Sequence, residues 1–157
     1  MATLIVYDSA YGNTEKISKA IADGLAGQTT VLRVNEANSV DVKTFDLLIV
    51  GSPTYGGRAT PAIKRFIDHL PANALNNINV SAFDTRISGK DKGFGIKIIT
   101  NIFGYAAGRI AKELEGKGGK LAASPEGFIV EGKEGPLKQG ELERAADWAK
   151  HIGQKDA

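Results

Sequence analysis

Two continuous apolar runs constrain this chain most: Leu4-Ile5-Val6 and Leu47-Leu48-Ile49-Val50. Neither alternates with polar residues as a half-exposed strand would. Such runs are expected of strands buried on both faces, which places them inside a parallel sheet. What lies between them fits that architecture. Residues 3–8 read as the first strand. A helix follows over residues 15–25, with Ile17, Ile21, Gly24 and Leu25 on one face and Gly27 beyond its end. Residues 29–35 form a second strand rich in β-branched side chains, and a short polar connection over 38–44 leads to the third strand at 46–52. Thr60 then caps a helix with Pro61 at its first position and Ile63, Phe66, Ile67 and Leu70 as its inner stripe. A weaker strand spans 78–84, and a glycine- and lysine-containing loop spans 86–95. A helical pattern over 97–115 places Ile102, Ala106, Ile110 and Leu114 inward. The fifth strand, 121–130, is interrupted at Ser124-Pro125-Glu126-Gly127, which implies an edge position or a bulge because proline cannot donate to a ladder. The last helix, 139–152, carries Leu142, Ala145, Trp148, Ala149 and Ile152 on one face.

Five strand–helix units in succession give an α/β fold, a three-layer sandwich whose five-stranded parallel sheet has helices on both faces. At 157 residues, one domain over 1–157 is expected. Cysteine is absent, which excludes disulfides, thiolate metal sites and thiol catalysis together. A net charge of +2 is too weak and dispersed to imply nucleic acid. No apolar run approaches the roughly 18 residues of a membrane span. A strand begins almost at the N-terminus, so no leader is expected and a cytoplasmic location is. His69 and His151 have no ligand partner at metal spacing. Asp8 stands where phosphoacceptor receiver domains carry an acid, but Gly51-Ser52 occupies the place of their acceptor aspartate.

In sheets of this kind ligands bind beyond the carboxyl ends of the strands. Two loops there carry chemistry. Ser9-Ala10-Tyr11-Gly12-Asn13-Thr14 joins the first strand to its helix. It is a polar, glycine-containing turn at a helix N-terminus, where free N–H groups and the helix dipole favour an anion such as phosphate. Ser52-Pro53-Thr54-Tyr55-Gly56-Gly57-Arg58 follows the third strand. Its glycines let the main chain approach a flat ligand, and Tyr55 offers a face for stacking. After the fourth strand, Asp84-Thr85-Arg86-Ile87-Ser88-Gly89 supplies a far wall whose backbone groups can bond the edge of a heterocycle.

Over nearly its whole length the chain resembles a flavodoxin of the short type. The family's phosphate loop, Ser/Thr-x-Thr-Gly-x-Thr, stands here as Ser9-Ala10-Tyr11-Gly12-Asn13-Thr14. The resemblance implies a sheet order of 2-1-3-4-5 and noncovalently bound FMN. Ser9, Asn13 and Thr14, with the loop amides, would hold the phosphate. Pro53, Thr54, Tyr55 and Gly56, with Gly57 beside them, would line one side of the isoalloxazine. Asp84, Thr85, Arg86 and Gly89 belong to the loop on its other side and pyrimidine edge. The implied role is electron transfer with a redox partner protein or a small-molecule donor or acceptor, which needs no catalytic acid or base. Two alternatives are an NAD(P)H- or quinone-dependent flavin oxidoreductase and a regulatory module with little flavin affinity.

The chain departs from the family pattern in three ways. Tyr11 replaces the usual threonine, as in flavodoxin-like modules of larger flavoproteins and in quinone reductases. The loop after the fourth strand lacks the usual stacking tyrosine, with Phe94 a distant substitute. Arg58, Arg86, Lys90 and Lys92, opposed by Asp91, surround the site with positive charge where electron-carrying relatives are acidic. A positive surround would favour an anionic reduced flavin, so a less strongly reducing cofactor is expected.

Overall fold

The computed structural model describes residues 1–87 and 105–155. Strand β1 is Ala2–Tyr7, helix α1 Asn13–Gly24 and strand β2 Gln28–Arg33, followed by short 3-10 turns at Val34–Glu36 and Val42–Thr44. Strand β3 is Leu47–Pro53, helix α2 Pro61–His69 and strand β4 Asn79–Ile87. Helix α3, Ala106–Gly116, is followed by strands β5 (Lys120–Leu121) and β6 (Glu126–Val130) and helix α4 (Glu141–Lys155). The expected helical pattern before Tyr105, including Ile102, lies outside the described residues.

The strands pair in the order β2-β1-β3-β4-β5, all parallel, the order that the resemblance implies. β6 also pairs with β4, so the fifth position is one strand in two pieces. Pro125 immediately precedes the second piece, at the sheet edge, where a missing N–H breaks no inner ladder. No helix among the described residues is long and apolar enough to cross a membrane.

The two apolar runs do what their hydrophobicity requires. Leu4, Val6, Leu48 and Val50 point to one face of the sheet, where they pack with Ile63 and Ile67 of α2 and Ile110 and Leu114 of α3. Ile5, Leu47 and Ile49 point to the other, with Ile17 and Ile21 of α1 and Ala145, Ala149 and Ile152 of α4. Alternation within each run therefore fills two separate cores. On the second face Phe83, Phe128 and Trp148 form a triangle of edge-to-face contacts, with ring centroids 6.1 to 6.4 Å apart. Phe83 fits because its register partner on β3 is Gly51. A Cβ on Gly51 would lie 2.0 Å from the Phe83 ring. Gly51→Ala should therefore cost about 1–3 kcal/mol of stability through overpacking. Denaturant unfolding measures this, and adding Phe83→Leu should restore part of the loss.

Helix α4 is clamped to β6 by charge. Glu141 accepts from the Ile129 N–H at 2.7 Å and from Arg144 at 2.7 and 2.9 Å, while Arg144 also donates to Glu126 at 2.8 Å. Burial pushes the Glu141 carboxyl up, but Arg144 and the Ile129 N–H outweigh it, so its pKa lies below the ordinary glutamate value. A depressed folded pKa adds stability above the ordinary glutamate range, and that stability is lost as pH falls through the folded value. The stability advantage of the native protein over Glu141→Gln should therefore shrink progressively on acidification, as read from unfolding curves at a series of pH values.

Candidate functional site

The β1–β3 register, ending at Tyr7↔Gly51, brings the two strands to the same level at the carboxyl edge of the sheet. The loop after β1 is held there by the Asp8 N–H, which donates to Gly51 O at 3.1 Å. The chain then turns into α1 through Gly12, whose φ of 90° is left-handed and suits glycine. No side chain caps this helix. Asn13 instead donates through Nδ2 to the Glu134 carbonyl at 3.2 Å. The Gly12 N–H donates to Ser9 Oγ at 3.0 Å. The N–H groups of Ala10, Tyr11, Asn13 and Thr14 find no acceptor among the described residues. These donors converge at the positive end of a 12-residue helix.

Asp8 braces this loop against the next. Its Oδ1 accepts the Ser9 N–H at 2.9 Å, and its Oδ2 accepts the Thr60 hydroxyl at 2.6 Å. Thr60 is the N-cap of α2, so one carboxylate ties the phosphate-type loop to the far end of the loop after β3. Arg33 of β2 completes the brace. Its Nη1 donates to Ser9 O at 3.0 Å and lies 3.7 Å from Asp8 Oδ1.

The two loops and the end of β4 enclose a cleft of about 320 Å³. Ser9, Ala10, Tyr11, Asn13 and Thr14 form one end, and Pro53, Thr54, Tyr55 and Gly56 one wall. Thr85, Arg86 and Ile87 contribute the opposite wall. Thr14 and Thr85 join across the floor, hydroxyl to hydroxyl, at 2.8 Å. Tyr11 and Tyr55 are each 45% exposed at the mouth. Burial, then the nearby Tyr11 and Asp8, raise the pKa of the Tyr55 phenol. Gly12 and Gly57 shape their loops without lining the cleft, and Gly89, Lys90, Asp91, Lys92 and Phe94 lie outside the described residues.

The strand-4 residues sit differently from the sequence expectation. β4 extends to Ile87, because Phe83 to Ile87 pair with β6, so Asp84, Thr85 and Arg86 belong to a strand rather than to a loop. Strand alternation sends Thr85 into the cleft and turns Asp84 toward α3. There Asp84 is fully buried, accepts the Ala107 N–H at 2.9 Å, and holds Arg86 through two bonds of 2.7 and 2.8 Å. Burial raises the Asp84 pKa, against the pull of Arg86 and the Ala107 N–H. The guanidinium also stacks 3.6 Å from the Tyr105 ring centroid, over a Gly127 whose Cβ would collide with it. Arg86 is thus half of a neutral pair and not a free cation beside the cleft. Arg58 lines a separate groove between α2 and α3. The positive surround read from the sequence therefore does not form from these two residues.

Two lining residues were missed, Val130 and Lys133. Both come from the end of β6 and the loop after it. Applied to the fifth strand, the carboxyl-edge rule would have found them.

A family model described as Flavodoxin matches residues 5–148. Flavodoxin from Aquifex aeolicus (strain VF5) is 42% identical over 80 residues, which are 48% of this chain and 43% of that protein. Putative diflavin flavoprotein A 4 from Synechocystis sp. (strain ATCC 27184 / PCC 6803 / Kazusa) is 34% identical over 98 residues, 58% of this chain and 15% of that one. The chain thus spans less than half of the length of either relative. Among solved structures, oxidised Flavodoxin 2 from Bacillus cereus superposes with a TM-score of 0.77 over 99% of both chains, at 19% identity, a likeness of fold.

The buried pair beside the cleft has a measurable consequence. Asp84→Ala strands the Arg86 charge and should cost about 3–5 kcal/mol, the usual penalty for breaking such a pair. Asp84→Leu combined with Arg86→Met should cost much less. Equilibrium denaturation of the three proteins checks both values.

Proposed function

This chain belongs to the flavodoxin family, and from that premise we propose that it binds FMN in the cleft and carries electrons between redox partners. One observation carries the reading. The cleft joins unpartnered helix N–H groups at one end to a tyrosine-flanked slot at the other. The first end suits a phosphate ester, since main-chain N–H groups and the Ser9 and Thr14 hydroxyls are oriented donors that require no metal. The second suits a flat heterocycle, with Tyr11 and Tyr55 at its mouth and Pro53, Gly56 and Ile87 along its sides. Tyr11 removes a threonine hydroxyl from the loop but leaves its main-chain N–H.

FMN supplies the redox chemistry when bound. The residues of the chain bind, orient and shield. Asp8 and Arg33 preorganise the anion end before the ligand arrives, which lowers the ordering cost of binding. Thr54 is fixed on both sides, its N–H donating to Thr85 O at 3.0 Å and its Oγ1 accepting the Ala106 N–H at 3.1 Å. That holds the ring wall rigid. Tyr11, Tyr55 and Ile87 leave the mouth apolar and open to a partner. The regulatory-module alternative requires a cleft that no longer fits a flavin, and this donor set fits one. Among the described residues, no feature of the site favours the reductase alternative.

Titration of the flavin-free protein with FMN, followed by flavin fluorescence quenching, tests the reading. FMN should bind at least about tenfold more tightly than riboflavin, a difference of 1.4 kcal/mol or more. Binding of neither flavin would overturn the proposal. Equal binding of both would overturn the assignment of the phosphate end.

A further inference from the structure

Among the described residues, two of charged type, Arg86 and Lys133, line the cleft. Arg86 is neutralised by Asp84 at 2.7 Å. Lys133 forms no ion pair among the described residues. Its position is fixed by the main chain around it. Residues 131–136 form a closed turn, with the Glu131 N–H donating to Pro136 O at 2.9 Å and the Gly135 N–H to Gly132 O at 3.1 Å. Below the turn, Val130 and Leu137 form an antiparallel bridge. The turn is docked on the first residue of α1, because Asn13 Nδ2 donates to Glu134 O and Gly135 packs against the same amide, its notional Cβ 2.9 Å from Asn13 Oδ1. The strap therefore sits at the end of the cleft where the unpartnered N–H groups lie. Its acids, Glu131 and Glu134, are exposed and do not line the cleft; its one cation does.

We infer that Lys133 is a phosphate-recognising residue, adding an ionic contact to the neutral donors of the loop after β1 and so sharpening selection of FMN over riboflavin. The inference rests on the FMN reading and deepens it. An ammonium near a dianion adds attraction that neutral N–H donors lack, and at an exposed position such as that of Lys133 the attraction is screened by salt. The consequence is an FMN affinity that falls with ionic strength while riboflavin affinity does not.

The test is a titration of native protein, Lys133→Gln and Lys133→Arg with FMN and with riboflavin, at low and at high ionic strength. Lys133→Gln should weaken FMN binding about three- to tenfold at low salt, leave riboflavin binding unchanged and flatten the salt dependence. Lys133→Arg should restore FMN binding. Equal FMN affinity in native protein and Lys133→Gln would overturn the inference. So would an equal loss for FMN and riboflavin, which would assign Lys133 to the ring or to the strap's structure. Both results leave the FMN reading standing, whereas native protein that binds neither flavin removes that reading and this inference together.

Discussion

The site depends on the pairing of β1 with β3. Parallel neighbours finish at one edge, so the loop after each strand emerges beside the other, and the register Tyr7↔Gly51 sets them level. Pairing alone would leave two loops free to move apart. The Asp8 carboxylate closes the gap, accepting from Ser9 on one side and Thr60 on the other. Because Thr60 also caps α2, the brace ends in a helix rather than in another loop. The cleft is thereby anchored on two helices and two strands whose cores lie on opposite faces of the sheet.

Much of this was legible in the sequence, and the illegible part has a common cause. Leu4-Ile5-Val6 and Leu47-Leu48-Ile49-Val50 announce buried parallel strands because their burial is decided locally. The loops at residues 9–14 and 53–57 announce themselves by glycine, proline and hydroxyl residues between a strand and a helix. Where the reading departed, a distant pairing had intervened. β6 extends β4 by three residues beyond the expected end, and that extension turns a supposed loop into alternating strand positions. Asp84 and Arg86, two apart, then share a face and become partners. Read as a loop, both are ligand contacts, and Arg86 is a free cation besides. Lys133 was hidden for the same reason: its strap is docked through the bond from Asn13 to Glu134, 121 positions apart in the chain, which no local signal encodes.

That correction alters the electrostatics of the cleft. Counted along the sequence, arginines and lysines gather around a flavin site. In the fold, Arg86 is cancelled by a buried carboxylate, and Arg33 lies beside Asp8 while it holds the Ser9 carbonyl. Arg86 is bonded directly to its acid, and Arg33 fastens the main chain of Ser9 at 3.7 Å from its own. A paired charge of this kind exerts only a dipole's field on a neighbouring ring, which falls away faster than that of a lone ion. The expectation of a less reducing flavin loses its support from Arg86. Among the described lining residues, the unpaired charge that remains is Lys133, on a strap docked at the helix N-terminus. Its field acts with the dipole of α1 and therefore favours an anion at that end of the cleft. In this arrangement charge favours an anion at one end of the cleft, and the mouth, with Tyr11, Tyr55 and Ile87 exposed, offers a largely apolar surface.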